Sequence, residues 1–272
     1  MSFLDPALVA ELLLLGAFAG FLAGLLGIGG SMLQVPFLTF LFSHRGIAPG
    51  LAVKMAIATS MATTVFTSIS SVRAHHQRGA VRWDLVRSLA PGIVVGGLVA
   101  GAGVFAVLKG SALAWLFAAF TSFSAIQMLI DRKPKPSRQM PGPLGATAAG
   151  GLIGLLSGLL GAGGAFISVP FMTWCNVSMR QAVATSAALG FPIALANSVG
   201  YVIAGWTLPD TPPGALGYVM LPALAVIASS SVLTAQLGAR TAHALDTRQI
   251  KKVFALLLFG LASYMAWRGL MS

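Results

Sequence analysis

Two long stretches without a formally charged residue constrain this chain more than any other feature of its sequence. They run over residues 12–44 and 139–179. Of the 272 residues, 57% are hydrophobic and 8% are charged, whereas about 25% are charged in a typical soluble domain. A single helix over residues 139–179 would be about 60 Å long, roughly twice the hydrocarbon thickness of a bilayer. The sequence therefore predicts an all-α integral membrane protein in which both stretches break or fold back.

Glycine clusters lie in the middle of both stretches and mark the predicted breaks. The clusters are Gly27, Gly29 and Gly30 in the first stretch and Gly161, Gly163 and Gly164 in the second. Glycine permits backbone conformations that a helix interior disfavours. We therefore expect two helical hairpins, with new helices starting at Ser31 and at Ala165.

Six other apolar segments each approach the ~20 residues that a helix needs to cross a bilayer. They lie near residues 52–72, 88–108, 112–130, 182–203, 217–238 and 252–270. With the arms of the two hairpins, the chain is predicted to contain about eight to ten helical segments.

The two halves of the chain are similar in sequence. GFLAGLLGIGGSMLQVPF, from Gly20 to Phe37, aligns without gaps with GLLSGLLGAGGAFISVPF, from Gly154 to Phe171. Farther on, residues 58–60 match residues 184–186, since both read Ala-Thr-Ser. We divide the chain into a first repeat (1–131), a basic linker (132–139) and a second repeat (140–272). Each repeat is predicted to consist of a glycine-centred hairpin and three further membrane-crossing helices.

Lysine and arginine cluster in three places, which predicts the orientation because short basic loops stay in the cytoplasm. The clusters lie within residues 73–87, 132–138 and 240–252. The loop 205–217 has no lysine or arginine and should face outward, although the alignment pairs it with the basic loop around Gly79. The repeats are therefore predicted to be inserted in opposite orientations, an inverted repeat. The linker would be cytoplasmic and both termini periplasmic.

Inversion requires an odd number of crossings in each repeat. Re-entrant hairpins, whose tips meet near the middle of the membrane, satisfy this condition, and hairpins with two full crossings satisfy it equally. Arg45, Lys54 and Lys109 fall on the outer side in either arrangement.

The doubled pattern G-x-G-G-x-x-x-x-x-P resembles the TauE/SafE sulfite exporter family of integral membrane proteins. It occurs at residues 27–36 and 161–170. The similarity covers nearly the whole chain, including LGARTAHALDTRQIKKVFALLL from Leu237 to Leu258. The resemblance implies export or exchange of small sulfur-containing anions such as sulfite or sulfoacetate, usually across the bacterial inner membrane. It indicates a class of substrate rather than a compound.

The backbone at the breaks gives an independent reason to expect an anion. A helix that starts after a glycine break presents unpaired N–H groups and the positive end of its dipole. Polar side chains nearby can select the ligand. The candidate substrate-binding residues are Gly29, Gly30, Ser31, Gln34, Thr59, Ser60, Gly163, Gly164, Ala165, Ser168, Thr185, Ser186 and Asn197.

Each of these candidates also has a purely structural interpretation. The glycines can serve only to let helices pack closely. The Ser and Thr hydroxyls can bond to carbonyl groups of their own helix. The Asn197 amide can join two helices rather than contact a substrate.

Other functions find little support in the sequence. The basic residues lie at the ends of apolar runs rather than along one solvated face, so nucleic acid is not a predicted partner. No carboxylate lies inside a predicted crossing, so a proton or sodium site built on a buried acid is not predicted. An intramembrane enzyme is disfavoured because no buried His or Asp is available to activate a Ser or Thr. Cys175 is expected to be an apolar packing residue.

The sequence thus predicts a secondary transporter that exports a small sulfur-containing anion by alternating access. Moving one negative charge outward gains roughly 2.3 kcal/mol per 100 mV, so no coupling ion is required. An anion channel and a carrier of a different small anion are the alternatives. No cofactor or metal is predicted. The expected partners are the small anion and the lipid bilayer, and the oligomeric state, a homo-oligomer included, is left open.

Overall fold

The computed structural model describes residues 5–26, 30–130, 137–208, 211–241 and 247–271, and nearly all of them are helical. The elements of the first half are α1 (Pro6–Leu26), α2 (Ser31–His44), α3 (Pro49–His76), α4 (Trp83–Leu98), a π-helical segment (Val99–Val104), α5 (Phe105–Val107) and α6 (Gly110–Ile130). Those of the second half are α7 (Pro143–Leu160), α8 (Ala165–Trp174), α9 (Met179–Gly205), β1 (Ala215–Leu216), β2 (Val219–Met220), α10 (Leu221–Thr241) and α11 (Thr247–Met271). The two strands form a short antiparallel ribbon.

Eight stretches of described helix are long and apolar enough to cross a membrane. They are α1, α3, α4 with its continuation to Val107, α6, α7, α9, α10 and α11. The protein is therefore an all-α, multi-pass membrane protein, as the sequence predicted. The return arms of the two hairpins, α2 and α8, are shorter, with 14 and 10 residues. The first arms have the length of full spans, about 31 Å for α1.

Both helical breaks occur at the glycine clusters. Gly30 (φ 66°) and Gly164 (φ 80°) adopt the left-handed conformation and directly precede α2 and α8. Gly161, with φ 60°, ends α7 in the same way. This conformation costs a residue with a Cβ about 1–2 kcal/mol, so glycine is what permits the breaks. Gly27 and Gly29 lie outside the described residues, and their role stays a prediction.

Each hairpin begins and ends at one end of the helix bundle. Arg45, after α2, lies 3.5 Å from the carboxylate of Asp5, before α1. In the second hairpin, the backbone N–H groups of Ser137 and Arg138 each lie 3.3 Å from the carbonyl oxygen of Trp174, the last residue of α8. The Arg138 guanidinium also lies 5.0 Å from the centre of the Trp174 ring. The two uncharged stretches therefore fold back on themselves, as their length predicted.

The helices of the two halves pack across each other. α1 packs on α10, α7 on α4, α6 on α11, and α3 on α9 at the centre. Glycines allow the close approach. A Cβ at Gly16 would lie 2.5 Å from the carbonyl oxygen of Ile227 in α10, and one at Gly150 would lie 2.2 Å from that of Leu89 in α4. The close-packing interpretation of small residues thus applies at these two equivalent positions, and each half completes its core against the other.

Candidate functional site

The two helical breaks lie against each other inside the protein. The backbone N–H of Gly163 donates a hydrogen bond of 3.0 Å to the hydroxyl of Ser31, and both groups are buried. Ser31 is the first residue of α2, and Gly163 lies two residues before Ala165, the buried first residue of α8. The starts of two broken helices, one from each half, are therefore adjacent. Each helix start has N–H groups without intrahelical partners and the positive end of a dipole.

Gly30 and Gly164 make room for protein atoms at these breaks. A Cβ at Gly30 would lie 2.7 Å from the carbonyl oxygen of Ala19, and one at Gly164 would lie 2.2 Å from Cδ1 of Ile193. Packing against a backbone oxygen is thus a sufficient reason for glycine at position 30, in addition to the left-handed backbone, whereas at position 164 the close atom is the end of a side chain. Gly163 differs from them, because it borders a cavity.

This cavity, which we call the central cavity, has a volume of about 20 Å³. Gly163, Ser186 and Gly190 line it together with hydroxyl side chains of α3. A space of this size holds about one water molecule. The cavity is therefore too small for an anion of several heavy atoms, which needs the surrounding helices to move apart.

Four hydroxyl residues of α3 line the central cavity, and none of them is among the site residues predicted from the sequence. They are Thr64, Thr67, Ser68 and Ser71, and all four are buried. The Thr64 hydroxyl donates to the Ser60 carbonyl oxygen at 3.0 Å, and the Thr67 hydroxyl donates to that of Thr63 at 3.2 Å. A hydroxyl can rotate to donate to a ligand instead. The signal was present in the sequence, because Ser and Thr recur along α3 at the three- and four-residue spacing of one helical face.

The equivalent residues Thr59 and Thr185 have structural partners. The Met220 N–H donates to the Thr59 hydroxyl oxygen at 3.0 Å, and the Arg82 N–H donates to that of Thr185 at 3.0 Å. Met220 immediately precedes α10, and Arg82 immediately precedes α4. Each of these threonines therefore holds the start of a helix from the other half of the chain. Substrate binding by these two residues stays a prediction.

The neighbouring serines differ between the halves. Ser60 bonds to its own helix, since its hydroxyl donates to the Ala56 carbonyl oxygen at 2.7 Å. The Ser186 hydroxyl instead lies 2.7 Å from that of Ser168 in α8, and both are buried. Ser186 also borders the central cavity, which makes it the predicted site residue best placed, with Gly163, to meet a ligand.

Gln34 and Asn197 each carry a buried side-chain oxygen without a hydrogen-bond partner among the described residues. The Asn197 amide nitrogen donates to the Ile193 carbonyl oxygen at 2.8 Å and lies 3.4 Å from that of Gly154 in α7. Asn197 therefore joins α9 to α7, which was one of its two predicted roles. Gln34 occupies the position in α2 equivalent to Ser168 in α8 and is 1% exposed.

Positive charge lies near both ends of α3. Lys54 lies near its start and Arg73 near its end, about 28 Å apart along the helix. An open cavity of about 420 Å³ between α3 and α10 is lined by Arg73, Arg78 and Arg240, among others. At the other end, Lys54 and Lys109 border a cavity of about 490 Å³. In the part of the chain that the structure describes, no three His, Cys, Asp or Glu residues are grouped so that they could hold a metal ion.

Comparison with known proteins assigns the chain to a family. The pattern of the family described as sulfite exporter TauE/SafE matches residues 12–265. A probable membrane transporter protein of Haemophilus influenzae is 36% identical over 251 residues, covering 92% of this chain and 95% of the relative. One of Methanocaldococcus jannaschii is 27% identical over 261 residues, covering 92% of each. No solved structure matches. The chain is a multi-pass membrane transport protein and belongs to the TauE/SafE sulfite exporter family.

Proposed function

We propose that this protein is a secondary transporter that exports a small sulfur-containing anion, namely sulfite, sulfoacetate or a related organosulfonate. The substrate would be held between the broken helices of the two halves. The observation that carries this proposal is the buried contact between the breaks, in which the Gly163 N–H donates to the Ser31 hydroxyl at 3.0 Å. The family description supports the sulfur-containing class of substrate.

The contact suggests how the substrate is recognised. The first N–H groups of α2 and α8 have no carbonyl partner within their own helices, and oxyanions bind readily at such helix starts. In this structure, the Ser31 hydroxyl occupies the position next to the Gly163 N–H. An oxygen of the anion would take that position in the bound state. Ser168 and Ser186 would supply further hydroxyl donors.

The small size of the central cavity supports alternating access. At about 20 Å³ it cannot hold a sulfur oxyanion without a movement of the helices around it. We propose that the halves form an inverted repeat and that one rocks against the other to open the site first to one side and then to the other. The membrane potential drives the outward movement of negative charge, at roughly 2.3 kcal/mol per charge per 100 mV.

We further propose that the end of the bundle that carries Arg73, Arg78 and Arg240 faces the cytoplasm of a bacterial inner membrane. The end of α11 would then lie on the outer side together with the end of the first hairpin, since Arg268 donates to the Ser43 hydroxyl and Met271 borders the same cavity as Lys54. A reporter fused after Ser272 should then read as periplasmic. A cytoplasmic reading would contradict the inverted arrangement.

The test of function is anion flux through the purified protein in liposomes under an imposed potential. Sulfite, sulfoacetate and sulfate are compared, and we expect saturable flux with counterflow for sulfite or sulfoacetate. Thr64→Val should lower kcat/KM about tenfold or more, because a hydrogen bond to a charged group contributes about 1.5–3 kcal/mol.

Thr63→Val is the matched control for this experiment. Thr63 is buried in the same helix and also bonds to its own backbone, at 3.0 Å to the Thr59 carbonyl oxygen, but it does not line the central cavity. It should leave transport unchanged. Flux without saturation would favour a channel, and absence of flux for all three anions would overturn the proposed substrate class. Equal effects of the two variants would move the site away from the central cavity.

A further inference from the structure

An open cavity lies at one end of the bundle, between α3 of the first half and α10 of the second. Its volume is about 420 Å³, and it is lined by three arginines together with Ser70, Gln77 and Gln236, among others. We call it the arginine cavity after Arg73, Arg78 and Arg240. None of the residues that line it is acidic. The planar guanidinium groups suit it to an oxyanion, because they donate paired hydrogen bonds to two oxygens at once.

The arginine cavity and the central cavity are neighbours along α3. Ser70 lines the arginine cavity, and the next residue, Ser71, lines the central cavity. Ser71, Thr67 and Thr64 form a row of hydroxyl residues about 10 Å long on this helix, which we call the α3 hydroxyl row. The residues at this three- and four-residue spacing share one face of α3. A row of hydroxyl residues therefore extends from beside the arginine cavity along the central cavity, which Gly163 also borders.

The second half has no equivalent row. The alignment that pairs residues 58–60 with residues 184–186 places Gly190, Ile193 and Asn197 where α3 has Thr64, Thr67 and Ser71. Ile193 is fully buried and packs against Gly164, and Asn197 is bonded to α7. Hydroxyl residues thus line this face of α3 toward the arginine end, whereas Ile193 and Asn197 occupy the equivalent positions of α9.

We propose that the arginine cavity is the site where the transported anion is first captured, and that the α3 hydroxyl row conducts it to the central cavity. This inference rests on the proposed function and names the entry site for its substrate. The ligand is a free sulfur oxyanion or sulfonate. Anionic lipid headgroups present similar oxygens, and the experiments below separate the two.

Flux measurements test the role in transport. Focused positive charge raises the local anion concentration by about tenfold or more. Arg73→Gln and Arg240→Gln should therefore each raise the KM for sulfite about tenfold, while kcat is retained. Both variants should also weaken the dependence of KM on ionic strength. Arg87→Gln is the matched control, since it removes the same charge from an exposed position on α4 that does not line the cavity. Equal KM values for the wild type and both cavity variants would overturn the proposal.

The lipid alternative is tested in the same assay. Flux is measured in liposomes of zwitterionic lipid alone and again with anionic lipid added. An increase in KM that persists in zwitterionic liposomes supports capture of a free anion. An increase that occurs only with anionic lipid would show that the arginines hold a headgroup, and would overturn the proposal.

A second measurement does not require transport, so it separates failure of this inference from failure of the proposed function. The variant Gln236→Cys places a thiol in the arginine cavity, and Cys175→Ala removes the native one. The rate at which a methanethiosulfonate with an anionic ethylsulfonate group labels this thiol is compared with the rate for a cationic trimethylammonium analogue. Relative to the rates of the two reagents with a free thiol in solution, the anionic reagent should be favoured about tenfold, and Arg240→Gln should abolish this preference. If wild-type flux is normal but the preference is absent, the capture site is wrong and the proposed function stands. If no anion is transported but the preference is present, the cavity still binds anions and the proposed function fails.

Discussion

Replacing Gly164 with alanine tests whether the break before α8 depends on glycine for both its conformation and its space. Gly164 has φ 80°, and a Cβ there would lie 2.2 Å from Cδ1 of Ile193. The left-handed conformation costs a residue with a Cβ about 1–2 kcal/mol, and overpacking of a core costs about 1–3 kcal/mol. We therefore expect Gly164→Ala to lower the free energy of unfolding by about 2–5 kcal/mol.

Two further variants separate these contributions. Gly46 has φ 84° and no atom within 4 Å of its would-be Cβ, so Gly46→Ala should cost only the conformational part, about 1–2 kcal/mol. Ile193→Val deletes the clashing Cδ1 and should itself cost about 0.5–1.5 kcal/mol. In that background, Gly164→Ala should cost about as much as Gly46→Ala does alone.

The free energy of unfolding is measured by titrating the purified protein with SDS in mixed micelles and following the loss of helix by circular dichroism. Unfolding and refolding curves must coincide for the comparison to hold. If Gly164→Ala costs no more than Gly46→Ala, the steric part of the reasoning is wrong. If its cost is the same with and without Ile193→Val, the contact with Cδ1 is not the cause.

Two further predictions concern hydroxyl and thiol groups away from the breaks. Thr59→Val leaves the Met220 N–H unpaired, and since Met220 is fully buried the free energy of unfolding should fall by about 1–3 kcal/mol. Thr185→Val should cost less in the same titration, because water can reach the partly buried bond to the Arg82 N–H; equal losses would contradict this ranking. Burial raises the pKa of the Cys175 thiol. At pH 7, maleimide should therefore label the folded protein at least about tenfold more slowly than the SDS-unfolded protein. The labelling rate of the folded protein should increase as the pH rises. Labelling at the unfolded rate would show that the thiol is accessible.

The sequence determined the class of protein and the places where its helices break. Charge-free stretches longer than a bilayer is thick cannot remain single helices, and the glycine clusters within them permit a left-handed residue. Helix starts at Ser31 and Ala165 were predicted from this reasoning, and both are present. These conclusions depend on composition and local backbone preference, which a sequence shows directly.

Tertiary structure decided which polar groups meet one another. The sequence predicts Thr59 and Thr185 as substrate-binding residues within apolar helices. Their hydroxyls accept hydrogen bonds from the N–H groups of Met220 and Arg82, which lie 161 and 103 residues away in the chain. Ser186 pairs with Ser168, whereas Ser60, its equivalent, bonds to its own helix. At this serine position the repeated sequence did not produce repeated bonding, because each side chain takes the partner that packing brings near it.

The central cavity and the contact between the breaks are also products of packing. Helical periodicity places Thr64, Thr67 and Ser71 on one face of α3, but it does not reveal what that face opposes. Packing of α3 on α9 turns this face toward Gly163 and Gly190. In a bilayer, where apolar side chains gain little by facing each other rather than lipid, close fit and hydrogen bonding decide how helices pair. Both depend on distances between helices, and only the folded structure supplies those distances.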